Sequence, residues 1–360
     1  MLLNIAETIN SSRFSMMVGS FINIRLKSNE FTEKLEDKNL PNTVFFLRRT
    51  IDIDNLPRIV KLIRRNKINI IHTHGYRSDV IGLVTAKMTK IPIVSTIHGW
   101  TAINLKLKFY ERCDRIALQF FDCLIPVSDQ IQKSLIRSGI DSRKMVRLHN
   151  AIDVEFKPFK TKPLSSLNIQ KRDGDFLIGT IGRLSPEKNI PNFLQAASFL
   201  IRKYDHLKFL VVGDGAERHK LEDMASDLGL KDKIQFTGFV NQMDEIYNIL
   251  DLMVISSSTE GIPLVMLEAM KYSIPVVSTK VGGIPEVIQN GIDGILVNPQ
   301  DSLQLEEAID DLIKDKNKYT KISRNAQKRV TQDFNRSVWI RRIEEIYTNL
   351  FTTRMVISNE

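Results

Sequence analysis

The sequence TEGIPLVMLEAM, residues 259–270, decides the fold class of this chain, because it joins the end of an apolar run to the start of a helix. The preceding run, DLMVIS at residues 251–256, has the short apolar pattern of a buried strand. Pro263 occupies a place where the first turn of a helix tolerates a missing N–H, and Gly261 lies in the turn before it. The segment therefore predicts a strand, a glycine-containing turn and a helix in succession.

Two carboxylates flank the start of this predicted helix. Glu260 precedes the helix, and Glu268 lies within it, about 7.5 Å along the axis at 1.5 Å per residue. Main-chain N–H groups at a helix N-terminus favour a phosphate, and here they belong to Gly261, Ile262 and Leu264. One carboxylate could bind the ribose hydroxyls, and the other could bind the hydroxyls of a group attached to the far phosphate. The pattern therefore predicts a nucleoside diphosphate sugar as ligand. The alternative is that both glutamates are solvated residues near a helix start, where acids are favoured.

The strand and glycine-turn pattern recurs along the second half of the chain. It is found in four further segments: IGTIGRLSPEKNI (178–190), FLVVGDGAER (209–218), IQFTGFV (234–240) and IPVVSTKVGGIPEVI (274–288). This alternation predicts an α/β fold with a doubly wound parallel sheet, whose ligand crevice lies at the carboxyl ends of the strands. Arg183 and Lys188 follow one such strand, and we expect them to neutralise a diphosphate.

Several motifs of this half resemble the GT4 family of retaining glycosyltransferases. They are GRLSPEKN, VVGDGAER, TGFV, EGIPLVMLE, PVVSTKVGGIPEVI and NGIDGILV, and the resemblance extends over residues 2–351. It implies a GT-B fold, with two Rossmann-like doubly wound parallel-sheet domains facing each other across a cleft. It also implies transfer of a sugar from a nucleotide diphosphate sugar to a glycan or lipid-linked acceptor with retention, in cell-surface polysaccharide synthesis. The donor is the substrate, and no metal or separate cofactor is expected.

The resemblance assigns a role to each matching residue. The catalytic positions that orient the donor sugar are His98 and Glu260. The donor diphosphate positions are Gly182, Arg183, Lys188, Gly261, Ile262 and Leu264. Glu268 is the expected ribose ligand, and the residues expected near the base are Gly213, Phe239 and Val240. The acceptor-side candidates are His74, Tyr76 and Asn150, although Ala151 follows Asn150 where the family usually has glycine.

By its position alone, at the end of a strand, His98 is more often a structural residue. The resemblance favours instead an active-site histidine near the donor sugar. His72 and His74 share one face of a strand, but no third ligand of matching spacing makes them a metal site. Asp52 and Asp54 match a metal-binding Asp-x-Asp pattern, yet they precede a basic helical stretch and are better interpreted as helix caps. The segment GDGAER lacks the last glycine of a dinucleotide fingerprint, so NAD is not expected.

The 360 residues are sufficient for two domains with separate cores. The first domain is expected at residues 1–153 and lies on the acceptor side. The segment 154–175 has no sustained apolar period and is the expected linker. The nucleotide-sugar-binding domain is expected at 176–334, and residues 335–352 are expected to form a helix that packs back on the first domain.

Charge is distributed unevenly between the two halves. Residues 1–150 hold 24 Lys and Arg against 13 Asp and Glu, a net charge of +11; since the whole chain carries +9, residues 151–360 carry −2. The segment INLKLKFYERCDRIALQFF (103–121) interleaves basic and apolar residues, and PRIVKLIRRNK (57–67) is also basic. Such a surface suits an anionic membrane, with an ordinary solvated helix face as the alternative. No nucleic-acid-binding motif accompanies the charge, so nucleic acid is not an expected partner.

No apolar run approaches the roughly 18 residues of a membrane span, and nothing at the start resembles a signal peptide. Only Cys113 and Cys123 are present, which fits reduced thiols rather than a disulfide framework. We therefore expect a cytoplasmic protein, peripheral on the inner face of the membrane if the basic surface binds lipid.

The chain opens at MLLNIAETINSSRFSMMVGSF, which resembles the first helix and second strand of the family, so the usual first strand and its glycine-rich loop are missing. That strand is central in a doubly wound sheet, and its loss is expected to leave two neighbours without ladder partners. We expect the true start to lie upstream, since the other motifs are intact. A truncated, non-catalytic nucleotide-sugar-binding copy and a nucleotide-sugar epimerase of the same fold are the alternatives.

Overall fold

The computed structural model describes residues 2–26, 30–48, 52–99, 105–155, 169 and 171–358. The chain forms two compact units: an N-terminal unit of Met1–Asn150 with Arg336–Glu360, and a C-terminal unit of Ala151–Asn335. Most of the segment predicted to be the linker, residues 156–168 and 170, lies outside the described residues. Both units combine helices with parallel sheets, so the predicted α/β class is confirmed.

The N-terminal unit contains five described strands and seven described helices. The strands are β1 (Val18–Asn23), β2 (Asn42–Leu47), β3 (Ile71–Thr73), β4 (Ile93–Ile97) and β5 (Cys123–Pro126). The helices are α1 (Leu2–Thr8), α2 (Glu30–Asp37), α3 (Leu56–Arg65), α4 (Tyr76–Thr89), α5 (Leu105–Leu118), α6 (Asp129–Arg137) and the C-terminal α14 (Arg336–Ser358). The sequence thus returns to this unit at its end.

The five strands of this unit form two separate parallel sheets. β1 pairs with β2, and β3 pairs with β4, which pairs with β5. Within the described residues, β1 and β3 are each paired on one side only. A cavity of about 890 Å³ is lined by residues of both strands, including Ser20 and His72. The two sheets therefore correspond to the two sides of a doubly wound sheet, with a gap between β1 and β3 where the sequence predicts that the first strand is missing.

The C-terminal unit contains a single six-stranded sheet. Its strands are β6 (Phe176–Ile181), β7 (Leu207–Val212), β8 (Ile234–Gly238), β9 (Leu252–Ile255), β10 (Val276–Thr279) and β11 (Ile295–Val297). Its helices are α7 (Ile190–Leu200), α8 (Arg218–Asp227), α9 (Met243–Ile249), α10 (Leu264–Lys271), α11 (Ile284–Val287), α12 (Ser302–Lys314) and α13 (Lys316–Asp333). All ladders are parallel, in the order β11-β10-β9-β6-β7-β8. The order reverses between β6 and β9, which is where a doubly wound sheet opens its ligand crevice.

Successive residues of these strands enter two different cores. Leu177 and Leu210 pack in one cluster with α9, α10 and α13, whereas Ile178 and Val211 pack in another with α7, α8 and α12. Because side chains alternate across a strand, the sheet is covered by helices on both faces. This explains why its strands are continuous apolar runs, and it leaves only the strand ends to carry polar groups.

Asp52 caps a short 3-10 turn, Ile53–Asn55, by accepting a hydrogen bond from the N–H of Asp54. Asp52 is thus a capping residue, but of this short turn; the basic helix α3 that follows has Asn55 at its N-cap position, and the Asn55 side chain makes no capping hydrogen bond. Among the described residues no cluster of three or more His, Cys, Asp or Glu side chains could hold a metal ion. In the same part of the chain, every helix is too short or too polar to cross a bilayer.

Candidate functional site at the carboxyl ends of the strands

The turns after β6, β7 and β8 meet at one edge of the sheet. The N–H of Gly213 donates to the carbonyl of Gly238 at 2.9 Å, which places the Phe239 turn beside it. A Cβ on Gly213 would lie 2.0 Å from the carbonyl oxygen of Gly182, and Gly213 has a φ of +130°. Only glycine therefore fits there. The predicted phosphate-side Gly182 and the predicted base-side residues are brought together, with Phe239 exposed and Val240 buried.

Lys188 and Glu260 are in direct contact. Lys188 ends the 3-10 turn Pro186–Lys188, and its Nζ donates to Glu260 Oε1 at 2.6 Å. The hydroxyl of Ser257, directly after the buried β9, donates to the same oxygen at 2.7 Å. A cavity of about 10 Å³, about the size of one water, is lined by Gly182, Lys188 and Glu260. The predicted diphosphate cation and the predicted donor-sugar carboxylate thus belong to one site.

Arg183 differs from Lys188 in having no partner. Its side chain is exposed, and within the described residues it makes no hydrogen bond or ion pair. A guanidinium binds phosphate oxygens in a bidentate geometry that an ammonium group does not provide. The two cations of the site therefore differ in kind, one held by a carboxylate and one available to an anion.

The N-terminus of α10 lies a short turn after Glu260. The helix begins at Leu264, one residue later than the sequence predicted, because Pro263 is extended, with φ −66° and ψ 126°. No side chain of the described residues caps this end, so the first main-chain N–H groups of the helix have no side-chain acceptor. Gly261 is half-buried and Ile262 is buried. The helix end lies within one residue of where the sequence predicted it, and its role as an anion site stays a prediction.

A glycine pair supports the Glu260 turn from the next strand. The N–H of Gly283 donates to the carbonyl of Gly261 at 2.8 Å. Gly282 has a φ of +58°, and a Cβ there would lie 1.8 Å from the carbonyl oxygen of Glu260. This role was not foreseen from the sequence, although a Gly-Gly pair at a strand end was a visible signal of close backbone approach.

Glu268 lies in α10 and is held by a tyrosine that sequence reasoning missed. The hydroxyl of Tyr247 donates to Glu268 Oε2 at 2.6 Å, and the ring of Tyr247 stacks on Tyr272 with centroids 5.3 Å apart. Tyr272 in turn donates to Asp244. Burial raises the pKa of the Glu268 carboxyl, while the bond from Tyr247 opposes that shift. Nothing in the sequence marks Tyr247, because its partner is 21 residues away on another helix.

The N-terminal unit collects three histidines at the ends of β3 and β4. The His74 ring stacks on His72 with centroids 4.5 Å apart and on His98 with centroids 5.6 Å apart. His74 Nδ1 lies 3.3 Å from His98 Nε2. Desolvation by the surrounding protein lowers the pKa of His72 to about 3, that of His74 well below its usual range and that of His98 to about 4, although His98 is an exposed residue. All three are therefore neutral at pH 7.

The other acceptor-side candidates have different surroundings. Tyr76, at the start of α4, stacks on Tyr110 of α5 with centroids 5.8 Å apart and nearly parallel rings. The guanidinium of Arg77 lies 5.6 Å from the Tyr76 ring centroid. Asn150 is buried at the end of the N-terminal unit. Its role in acceptor binding stays a prediction.

Two family models match the chain. "Glycosyl transferases group 1" matches residues 164–329, and "Glycosyltransferase Family 4" matches residues 26–156. The fold of both units and the paired glutamates agree with this match. The chain belongs to the GT4-type glycosyltransferases and has the GT-B fold. It is accordingly a glycosyltransferase enzyme.

Curated relatives span nearly the whole chain. The UDP-Gal:alpha-D-GlcNAc-diphosphoundecaprenol alpha-1,3-galactosyltransferase of Escherichia coli is 25% identical over 373 residues, covering 98% of this chain and 96% of the relative. The N-acetyl-alpha-D-glucosaminyl L-malate synthase of Bacillus anthracis is 26% identical over 302 residues, covering 82% of this chain and 78% of the relative. These relatives use different acceptors.

Solved structures give the same fold. Anabaena Alr3699/HepE in complex with UDP-glucose has a TM-score of 0.83 and 23% identity, covering 97% of this chain and 94% of that chain. A glycosyltransferase from Rickettsia africae has a TM-score of 0.80 and 19% identity, covering 97% and 93%. At these identities the likeness defines the fold alone.

Proposed function

We propose that this glycosyltransferase is retaining and metal-independent, and that it moves a sugar from a UDP-sugar to a glycan or lipid-linked acceptor in cell-surface polysaccharide synthesis. The observation that carries the proposal is the contact of Lys188 with Glu260 beside the uncapped start of α10, with Glu268 one turn further on. Uridine is proposed because the Escherichia coli relative is named for UDP-Gal and the Anabaena structure holds UDP-glucose. The lipid-linked acceptor is proposed from the name of the same relative.

The charges of the site suit departure of a nucleoside diphosphate. Arg183, Lys188 and the N-terminus of α10 offer fixed positive charge where the bond to the leaving diphosphate breaks. Since side chains and a helix end supply this charge, the proposal needs no metal. Glu268 holds the ribose hydroxyls, and the GT4 resemblance gives orientation of the donor sugar to Glu260 and to His98. For retention, the acceptor oxygen bonds to the anomeric carbon on the face from which the diphosphate leaves; the bond from that carbon to the diphosphate breaks, and the proton of the acceptor hydroxyl passes to the departing diphosphate.

Turnover with a UDP-sugar and an undecaprenyl-diphosphate-linked sugar tests this function. We expect UDP release that EDTA does not abolish, and a product with the anomeric configuration of the donor by NMR. Arg183→Ala should lower kcat by about 10²-fold, since it removes charge stabilisation, whereas Glu268→Ala should mainly raise KM. Arg202→Ala, an exposed arginine at the end of α7, is the matched control.

Three outcomes would contradict the proposal. An inverted product would exclude retention. Isomerised UDP-sugar without acceptor would indicate an epimerase. Tight UDP binding with no transfer to any acceptor would indicate a binding protein.

We further propose that α4 and α5 place the N-terminal unit on an anionic membrane surface, on the cytoplasmic side. The two helices pack against each other, and their exposed apolar residues are Val84, Met88, Phe109, Ile116 and Phe120, the last of these just after α5. Phe109 and Ile116 share one face of α5 by their spacing of seven, and Phe120 lies in the turn that follows. Lys87, Lys90 and Arg112 lie on the same segments. Apolar residues beside basic ones suit the headgroup region of an anionic leaflet.

Vesicle sedimentation tests the membrane surface. The protein should pellet with phosphatidylserine vesicles at low salt and less with neutral vesicles. Ile116→Asp with Phe120→Asp should weaken binding by tenfold or more, at about 1.5–3 kcal/mol for each large apolar side chain. Leu303→Asp, an exposed leucine of the C-terminal unit, should not. No pelleting, or equal weakening by the control, would refute the surface.

A further inference from the structure

We infer that His74 is a positioning residue that fixes the ring plane and the tautomer of His98, so that His98 presents Nδ1–H as its hydrogen-bond donor. Only the importance of His98 for the reaction rests on the proposed function. The arrangement itself rests on His72, His74, His98 and their partners within the N-terminal unit.

Hydrogen bonds hold the ring of His72 in place. Its Nδ1 lies 2.6 Å from the hydroxyl of Tyr347 in α14, and its Nε2 lies 2.8 Å from Thr96 Oγ1 in β4. The Tyr347 ring meets His72 edge-on at 5.7 Å. Because both nitrogens are engaged, the His72 ring cannot turn without losing a hydrogen bond.

The His74 ring lies between those of His72 and His98, and its orientation follows that of His72. The rings of His72 and His74 are inclined by 27°, and those of His74 and His98 by 22°. The contact of His74 Nδ1 with His98 Nε2, at 3.3 Å, is long for a hydrogen bond, as catalytic contacts often are without substrate. The planes of the three imidazoles are therefore nearly parallel, and His74 meets His98 through their ring nitrogens.

The direction of the contact follows from the other nitrogen of His74. Two neutral imidazoles can share a hydrogen bond only if one nitrogen carries the proton and the other its lone pair. His74 Nε2 is buried and has no hydrogen-bond partner among the described residues. A buried N–H without an acceptor is costlier than an unpaired lone pair, so the proton of His74 belongs on Nδ1. His98 Nε2 then accepts, and the proton of His98 is left on Nδ1.

Because their pKa values are low, His74 and His98 stay neutral near pH 7, and the hydrogen bond between them is kept. Burial is the main cause of the lowered pKa in all three rings, and a charge on a neighbouring histidine would lower the pKa values of His72 and His74 further. Protonation of His98 at Nε2 would remove the lone pair that accepts from His74. A neutral His98 with a fixed Nδ1–H can donate to a sugar hydroxyl but cannot rotate freely to choose another partner.

Nitrogen NMR of ¹⁵N-histidine-labelled protein tests the tautomer without any substrate, with His98→Gln used to assign the signals. We expect His98 in the wild type to be protonated at Nδ1 and unprotonated at Nε2. His74→Ala should return His98 to the Nε2–H form that free neutral imidazole favours in water, and should lower kcat about tenfold with little change in KM.

His74→Asn should restore both, because its amide N–H stands at the position of Nδ1. His219→Ala, on an exposed residue of α8, is the control. A wild-type His98 protonated at Nε2, or an Asn variant that behaves like the Ala variant, would overturn the inference. The correct tautomer in a protein that transfers no sugar would instead refute the proposed function alone.

Discussion

Replacing Tyr247 by phenylalanine should weaken nucleotide binding while leaving the fold intact. The substitution removes one hydroxyl, which donates to Glu268 Oε2 at 2.6 Å, and keeps the ring that stacks on Tyr272. A hydrogen bond to a charged group contributes about 1.5–3 kcal/mol, and part of this loss is recovered if the carboxylate finds another donor. We therefore expect the Kd for UDP to rise about tenfold, which corresponds to 1.4 kcal/mol.

The UDP affinity of both proteins should also depend on pH, through the protonation of Glu268. Burial raises the pKa of Glu268, and the bond from Tyr247 lowers it, so the variant should have a still higher Glu268 pKa. In the proposed donor site the ionised carboxylate of Glu268 accepts hydrogen bonds from the ribose hydroxyls, and protonation as the pH falls removes this capacity. UDP affinity should thus fall towards acid pH in both proteins, and the fall should begin at a higher pH in the variant.

Calorimetric titration with UDP at pH 8 and at pH 6 measures both effects. The matched control is Tyr319→Phe, whose hydroxyl donates to the carbonyl of Asp251 at the start of β9. The ratio of variant to wild-type Kd should be larger at pH 6 than at pH 8, and the control ratio should stay near one. An unchanged Kd, or a ratio that shrinks as the pH falls, would refute the role of Tyr247.

Two further predictions concern stability and the Glu260 turn. Gly282→Ala and Gly291→Ala both place a side chain at positive φ, which should cost about 1–2 kcal/mol of unfolding free energy in Gly291→Ala. Only Gly282→Ala also brings a Cβ against the Glu260 carbonyl, so it should destabilise the protein more and abolish UDP binding; equal binding by both variants in the same titration would count against this prediction. The pKa of His72 is lowered to about 3, so its stabilising contribution is present above pH 6.5 and is lost as the pH falls. Between pH 7 and pH 5 this loss should reach about 2 kcal/mol in urea unfolding and should be smaller in His72→Gln; an identical pH dependence in both would contradict it.

The sequence predicted the C-terminal unit well because its signals are local. Each strand ends in a glycine turn, and β9 leads to α10 within a few residues, so Glu260 and Glu268 could be placed from spacing alone. The sequence placed Lys188 and Glu260 at the same edge of the sheet, but it did not predict their direct contact. Local patterning thus sufficed to place residues that follow strands of one sheet.

The residues that hold these side chains could not be predicted in the same way. Ser257 and Tyr247 become visible only when the strand register and the packing of α9 against α10 are known. In the N-terminal unit, the shared face of His72 and His74 was foreseen, but Tyr347 lies 275 residues further along the chain. Long-range packing, rather than spacing, selects such partners.

Thermal unfolding with UDP, GDP, ADP, dTDP and NAD tests the proposed donor site most directly, with Arg183→Ala and Glu268→Ala as variants. A ligand at 100 times its Kd adds about 2.7 kcal/mol to the unfolding free energy. The account predicts stabilisation of the wild type by UDP and a clearly smaller shift in both variants. Stabilisation by none of these nucleotides in a protein that melts cooperatively, or by NAD alone, would contradict it.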